Sequence, residues 1–351
     1  MHIYIRELIA LYQTSQKLKI SQDVIITLAQ RALTLVDSKD FQPRICPTIL
    51  MLCKNHNLTW GEISILHHGV RSAITTHHAN FDCRTLSTIL STLASLGFTW
   101  LENDLTKDLL LKRAFTTIKN FNEQDISMTL HALAQLDALD ERMIKKSCGV
   151  LSKMIDNLSN KSCVKLHTSF THYCLDNKKK WSHIIKNLPQ GASDAIIERS
   201  QHMLVNSVGI SLFQQEVTKI LASRKNQIKL EEEALIHCMV VDIYLPQYRA
   251  VIEVNGPFHF LENGEFNPRS KYKRKLLERL KYKVIDINHY VWDKLHNPQA
   301  KKIYLDNLLH FHLGIKPTIP WTPLHTTRQD TNKNYLPAKA KTPTHRKHKI
   351  I

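Results

Sequence analysis

Two short β-prone runs carry the residues with the clearest potential for chemistry. Residues 240–245 and 250–255 flank a four-residue connection, and this pattern predicts a β-hairpin. Pairing outward from the turn places Asp242 opposite Glu253 on the same face of the sheet. Two carboxylates in this arrangement, about 5 Å apart, repel each other unless a cation or a shared proton lies between them. The pair is therefore a candidate site.

Carboxylate oxygens of this kind are suitable ligands for a divalent cation such as Mg²⁺. His259 follows the second run closely, and its imidazole has the chemistry of a metal ligand or a general acid/base. We take Asp242, Glu253 and His259 as candidate catalytic residues, and the two carboxylates as candidate metal ligands. The alternatives are a site without catalysis, which needs no cofactor, and carboxylates that simply pair with the basic helix predicted after the hairpin.

A strongly basic helix is predicted after the hairpin. It begins near Asn267-Pro268, where asparagine can cap the helix and proline fits the first turn. Between residues 269 and 283 there are eight Lys and Arg against the single acidic residue Glu278, which exceeds ordinary surface mixing. Cations of this kind bind backbone phosphates and supply affinity rather than sequence choice. The candidate RNA contacts on this helix are Lys271, Lys273, Arg274 and Lys275.

The first two-thirds of the chain repeats with a period of about 40 residues. Phe41, Phe81 and Phe121 are in register, and residues 80–96 match residues 120–136 most closely. Apolar residues within each copy recur at helical spacing, and each copy has room for two helices. A two-helix repeat of this length predicts an α-solenoid, in which stacking buries the face that a single repeat leaves exposed.

The first helix of each copy also carries polar residues opposite its apolar stripe. Arg84 and Ser91 lie on this side in one copy, and Gln124 and His131 lie on it in the next. Hydrogen-bonding residues that recur along stacked helices are able to read single-stranded bases. These four residues are candidate RNA contacts, and the alternative is a polar stripe that faces solvent.

Composition narrows the class of partner and the compartment. The formal net charge of +17 favours a polyanionic partner, first of all nucleic acid, and only 9 Gly suits a largely helical chain. Seven cysteines without a CxxC pair indicate free thiols in a reducing, intracellular compartment, with cytoplasm, organelle and host cell equally open. No apolar run is long enough to span a membrane, so we expect no membrane partner. Nothing implies an obligate protein partner.

The hairpin, the basic helix and the residues after it share short motifs with one known family. The motifs are Val241-Asp242, Leu245-Pro246, Ile252-Glu253-Val254, Gly256-Pro257, His259-Phe260, Leu276-Leu277, Tyr282-Lys283-Val284 and Trp292. On these residues the segment 239–297 resembles the RAP domain. The upstream repeats resemble octotricopeptide repeats and the helical region of FAST-kinase-domain proteins. The resemblance implies a protein that binds RNA, with single-stranded RNA the expected form, and that acts in RNA processing, stability or translation.

The RAP domain is in turn similar to the restriction-endonuclease-like fold, in which an Asp and a Glu or His on adjacent strands hold Mg²⁺. This similarity implies the alternative function, a Mg²⁺-dependent nuclease. Nucleases of that fold usually place a lysine two residues after the second carboxylate, where it helps to activate water. Here that position is Asn255, which carries no charge. We therefore expect RNA binding without catalysis.

Taken together, the sequence predicts a mainly α protein: an α-solenoid of two-helix repeats, then a small α/β restriction-endonuclease-like RAP domain and a basic tail. A degraded fourth copy of the repeat begins near Asn157, offset by about three residues from the regular spacing. The expected divisions are a helical cap at 1–40, repeats at 41–200, the RAP region at 201–315 and a disordered basic tail at 316–351.

Overall fold

The computed structural model describes residues 21–37, 41–181, 188–206, 209–224 and 228–318. Most of the predicted tail, and the first 20 residues of the predicted cap, lie outside these ranges. Of the described residues, those up to Lys302 form one compact unit, and those from Ile303 onward form a second. Within the described residues there are 13 α-helices and a single four-stranded sheet, which confirms the prediction of a mainly helical protein with a small α/β part.

Ten of the helices in the described ranges precede the sheet. In chain order they are α1 (Gln22–Leu33), α2 (Ile45–Asn55), α3 (His67–His77), α4 (Cys83–Ser95), α5 (Leu105–Thr117), α6 (Glu123–Gln135), α7 (Glu141–Leu151), α8 (Asn160–Asn177), α9 (Ala192–Val205) and α10 (Leu212–Ala222). Helices α2, α4, α6, α8 and α9 pack one on the next, and α3 packs on α5 in a second row. This stacking buries one continuous apolar core from α1 to α9.

The repeat is visible in the way successive helices begin. Asp82 caps α4 and Asn122 caps α6, and each side chain accepts a hydrogen bond from the backbone N–H three residues later. Phe81 and Phe121, which precede these caps, are both buried in the core. Ser159 caps α8 in the same way, so the fourth copy carries the predicted offset of about three residues from the regular spacing.

Polar side chains are also buried between neighbouring repeats. The Oγ of Ser87 on α4 donates to Oδ1 of Asp125 on α6 at 2.9 Å. One repeat further on, the Oγ of Ser127 donates to Oγ of Ser162 at 3.0 Å. Because each of these two hydroxyls has a partner across the interface, the bonds help to fix the register of one helix on the next.

The sheet follows the helices and has the order β1-β2-β3-β4. Its strands are β1 (Glu231–Ile236), β2 (Met239–Leu245), β3 (Ala250–Asn255) and β4 (Lys283–Asn288). The first three are antiparallel, whereas β4 is parallel to β3. Leu245 pairs with Ala250 across the turn, as the predicted hairpin register requires. Three further helices are α11 (Pro268–Arg279), α12 (His289–Trp292) and α13 (Pro298–Leu313).

Helix α11 covers the face of the sheet that carries the predicted site. Its residues Leu276 and Leu277 share an apolar core with Val251 and Val284 of the sheet. Side chains alternate along a strand, so Val251 lies on the same face as Glu253. The side chain of Asn267 caps the helix by accepting from the N–H of Ser270 at 2.8 Å, as the sequence predicts. The basic helix therefore lies directly over the carboxylates.

The same helix also packs on the repeats. The ring of Tyr272 stacks on His172 of α8, with centroids 5.6 Å apart, and meets the edge of His131 of α6 at 5.9 Å. Gly97 comes so close to the start of α11 that an added Cβ would lie 3.1 Å from Cγ of Pro268. With φ at +75°, Gly97 also has a backbone conformation that other residues rarely adopt. The close contact holds the sheet domain against the solenoid.

Candidate nucleic-acid interface

Carboxylates form a row across the sheet. Ile243 of β2 pairs with Ile252 of β3, so Asp242 and Glu253 occupy the next opposed positions. Glu253 in turn pairs with Asp286 on the parallel strand β4. Glu233 of β1 lies beside Asp242 at the other end of the row. Burial raises the pKa of Glu233, a hydrogen bond from Gln214 lowers it, and repulsion from Asp242 raises it further. The acidic site is therefore larger than the two residues that the hairpin pattern predicts.

Glu253 is the most constrained carboxylate of the row. Its residue is only 5% exposed, and its Oε2 lies 2.6 Å from Nζ of Lys273 on α11. Its Oε1 is buried and has no hydrogen-bond partner among the described residues. Burial raises the pKa of Glu253 to about 7; Lys273 opposes the rise, while Asp242 and Glu233 add to it. The group is thus poised between its charged and neutral forms near neutral pH.

Asp242 and His259 lie beside Glu253 but have other partners. Oδ2 of Asp242 accepts from the backbone N–H of Val254 at 2.6 Å. His259 lines a cavity of about 320 Å³ together with Glu253, and its Nδ1 lies 3.2 Å from Oγ of Ser270. Burial lowers the pKa of His259, against the attraction of Asp242, so the ring is neutral at physiological pH. Within the described residues, these three side chains do not form a compact set of three metal ligands.

Asn255, the position at which the nuclease alternative would require a lysine, has a structural role here. Its Nδ2 donates to Oδ1 of Asp286 at 2.9 Å, and Arg274 forms an ion pair with the same carboxylate. A lysine does reach the site, because Lys273 approaches Glu253 from the helix rather than from the strand. The pairing of Glu253 with the basic helix is one of the alternatives that the sequence left open, although the sequence did not single out Lys273 for it. Sequence reasoning missed Asp286 altogether, since it is not close to Glu253 along the chain.

The four cations predicted to contact phosphate are all paired with carboxylates in the structure. Lys273 and Arg274 bind Glu253 and Asp286 of the acidic row. Lys271 lies 2.8 Å from Glu265, and Lys275 lies 2.6 Å from Asp137 at the end of α6. Acidic residues from other parts of the chain thus balance part of the excess of positive charge on the helix. Their contact with phosphate remains a prediction.

Arg269 differs from these four. It is exposed at the start of α11, and no ion pair with a carboxylate is found for it within the described part of the chain. It lines the cavity that contains Glu253 and also a second cavity on the side of the repeats. An exposed guanidinium without a carboxylate partner keeps its full capacity to bind phosphate.

A charged cluster holds the other end of α11 to the repeats. His172 is buried, and its Nε2 lies 2.9 Å from Oδ2 of Asp176 and 3.0 Å from Nη1 of Arg279. Oδ1 of Asp137 lies 3.4 Å from Nε2 of the same histidine, and Asp137 also forms an ion pair with Lys275. Asp137, His172 and Asp176 come close enough to hold a metal ion. The cations of α11 already balance these carboxylates, so the cluster serves to dock the helix.

The second cavity, of about 570 Å³, lies between the repeats and the sheet domain. Ser91 and His131 line it from the repeats, and Phe258 and Arg269 line it from the other side. Ser95 of α4 and Gln135 of α6, which lie one helical turn further on, line it as well.

Two of the four predicted solenoid contacts, Ser91 and His131, are therefore brought together in this cavity. Arg84 instead lies 3.5 Å from Asp125, and Gln124 is exposed and not part of the lining.

His131 is well suited to contact an uncharged group in this cavity. Burial lowers its pKa to about 4, with further contributions from the positive charges of Lys165, His172 and Arg269. Its ring is therefore neutral at physiological pH and carries one donor and one acceptor. Its Nδ1 is buried and has no partner among the described residues.

The comparison with known families agrees with this arrangement. Residues 252–308 match the family model described as the RAP domain. This chain contains a RAP domain. The match covers most of β3, the basic helix α11, β4, α12 and the first part of α13, and thus Glu253 and Asp286 of the acidic row and the cations above them. RAP domains are generally RNA-binding domains, which is consistent with an RNA-related function for the chain.

Among curated proteins, none matches this chain. In the described part of the chain, no helix has both the length and the apolar character needed to cross a membrane.

Proposed function

We propose that this RAP-domain protein binds single-stranded RNA in the cleft between its helical repeats and its RAP domain, and acts in RNA processing, stability or translation. The observation that carries the proposal is the cavity of about 570 Å³, which Ser91 and His131 line from the repeats and Arg269 lines from the RAP domain. Polar groups that recur on stacked helices suit base edges, and an unpaired arginine suits the backbone. The net charge of +17 adds a general attraction for polyanions.

RNA binding in this cleft requires a strand without a complementary partner. The donors and acceptors that line it come from α4 and α6 on one side and from the RAP domain on the other. A paired base hides its Watson–Crick edge inside the helix, whereas an unpaired base offers it to side chains. Binding assays should therefore favour single-stranded over double-stranded RNA of the same sequence.

Replacing Arg269 by alanine is expected to weaken RNA binding across all sequences. The loss of one phosphate contact should also flatten the plot of log K against log salt by up to about 0.7. Lys271→Ala is the matched control: Glu265, at 2.8 Å, already neutralises much of the charge of Lys271, so the slope should change less. Titrations of labelled RNA at several salt concentrations measure both slopes. Equal slopes for Arg269→Ala and the wild type would mean that Arg269 does not contact phosphate.

The second candidate function is a Mg²⁺-dependent nuclease at the acidic row. The observation in its favour is the buried Oε1 of Glu253, which lacks a partner within the described residues, as a ligand atom awaiting a cation would. Two observations count against it. Lys273 already supplies a positive charge at 2.6 Å from Glu253, and Asp242 accepts from the backbone N–H of Val254. The residues therefore fit a divalent cation only in part, and we derive no cleavage step through one.

Purified protein is accordingly expected to leave single-stranded RNA intact in the presence of either Mg²⁺ or Mn²⁺. The assay is gel analysis of end-labelled RNA over time, with an EDTA-treated sample as the control. Asp242→Ala should bind RNA with wild-type affinity, because Asp242 lies in the acidic row and not among the lining residues of the larger cleft. Cleavage that depends on the metal and is lost in Asp242→Ala would establish the nuclease instead.

A further inference from the structure

Phe258 is the most exposed large apolar side chain among the described residues, at 95%. It lies in the short turn Pro257–His259, directly after β3. The turn is held firmly, because the Nδ2 of Asn267 donates to the carbonyl of Phe258 at 2.8 Å and the N–H of Asn267 donates to the carbonyl of His259 at 2.9 Å. An aromatic ring is thus presented to solvent on a fixed backbone.

The ring lies at the junction of the two cavities described above. Phe258, Asn267 and Arg269 line both the cavity of about 570 Å³ beside the repeats and the cavity of about 320 Å³ beside the acidic row. Ser91 and His131 line the cavity of about 570 Å³ on one side of this junction. The junction therefore combines an exposed aromatic face, an exposed arginine and neutral hydrogen-bonding groups.

This combination fits a nucleotide better than it fits a protein side chain. An aromatic ring stacks on any base, and neighbouring cations bind the phosphates on either side of it. The lining around Phe258 also includes apolar residues, among them Phe260 and Leu261. Arg269, which lines both cavities with Phe258, supplies the cation that the phosphate of a nucleotide needs and that an apolar protein side chain does not.

We propose that an unpaired RNA base stacks on Phe258 while Arg269 contacts an adjacent phosphate, so that the strand passes from the repeats towards the acidic row. This inference rests on the proposed RNA-binding function and specifies where a base is held. The stacking is tolerant of sequence, because every base has a π face. Sequence choice is left to the polar residues of the repeats.

The test compares Phe258→Ala with Phe258→Trp in the full-length protein. The probe is a fluorescein-labelled single-stranded RNA of randomised sequence, about 20 nucleotides long, which exceeds the site of a single domain. Phe258→Ala should raise Kd about 5- to 100-fold, whereas Phe258→Trp, which keeps an aromatic face, should bind at least as tightly as the wild type. Because no phosphate contact is removed, the salt slope of Phe258→Ala should equal that of the wild type.

Phe311→Ala is the matched control, since Phe311 is another exposed phenylalanine, at 68%, outside both cavities. It should bind the probe as the wild type does. A second probe that carries 2-aminopurine should lose fluorescence on binding to the wild type, because stacking quenches that base, and should lose less on binding to Phe258→Ala.

The outcomes separate this inference from the proposed function. The stacking would be overturned, with RNA binding left in place, by either of two results. One is wild-type affinity in Phe258→Ala, and the other is an equal loss of affinity in Phe258→Ala and Phe258→Trp. A wild-type protein that fails to bind the probe would overturn both. Unchanged RNA binding in Phe258→Ala together with loss of a protein partner would assign the ring to a protein interface instead.

Discussion

Replacing Tyr272 by alanine is expected to lower the free energy of unfolding by about 3 kcal/mol and to weaken RNA binding at the same time. The ring packs between His172 and His131, with centroids 5.6 Å and 5.9 Å away, so its removal leaves a cavity between the repeats and α11. The same change loosens the contact that holds Arg269 opposite the polar residues of the repeats. Chemical denaturation and RNA titration measure the two effects.

Tyr272→Phe provides the control for this experiment. It keeps the ring and removes only the hydroxyl, which lies 3.0 Å from Nδ1 of the buried His172. We expect a loss of about 1 kcal/mol in stability, the usual effect of one hydrogen bond, and an RNA affinity close to wild type. If Tyr272→Ala is destabilised yet binds single-stranded RNA as tightly as the wild type, the cleft is not the RNA site.

Replacing Glu253 by glutamine is expected to stabilise the protein by about 3 kcal/mol at about pH 8. The pKa of Glu253 in the folded protein is about 7, raised by burial from its ordinary value of 4.5. The folded state therefore binds the proton more tightly than the unfolded state, and stability falls as pH rises between these two values. Glutamine resembles the protonated carboxyl, so the variant avoids this loss.

The advantage of Glu253→Gln should accordingly shrink as the pH is lowered and be largely gone below about pH 4.5, where the carboxyl is protonated in both states. Urea denaturation at a series of pH values measures it. Glu102→Gln, at an exposed carboxylate, serves as the control and should track the wild type. A Glu253→Gln variant that is less stable than the wild type at pH 8 would indicate that the ion pair with Lys273 outweighs the cost of burying the charge.

Local patterns in the sequence suffice to predict the hairpin and the repeats. A four-residue connection and the alternation of apolar residues fix the register of β2 on β3, and the structure has Leu245 opposite Ala250 as that register requires. The caps at Asp82 and Asn122 recur with the repeat because each one begins an equivalent helix. In both cases the interacting residues are close in sequence or related by a fixed period.

The remaining parts of the site depend on contacts between distant segments. Asp286 joins the acidic row only through the parallel pairing of β3 with β4. Parallel strands are joined by a long crossover rather than a tight turn, so no local turn motif predicts this pairing. Charge counting on α11 predicts free cations, yet Lys275 pairs with Asp137, which is 138 positions away. The cleft itself forms only when α11 docks on the repeats, so the place of Phe258 and Arg269 in it is not readable from the chain.

Photocrosslinking tests the central claim, that one RNA strand lies between the repeats and the RAP domain, most directly. Single-stranded RNA containing 4-thiouridine is bound to the full-length protein, irradiated and digested, and the crosslinked peptides are identified by mass spectrometry. The expected result is crosslinks both in the repeats, around Ser91 and His131, and in the RAP domain, around Phe258 and Arg269, all of which line the same cavity. Crosslinks confined to only one of these two sides, or absent from both, would contradict the account.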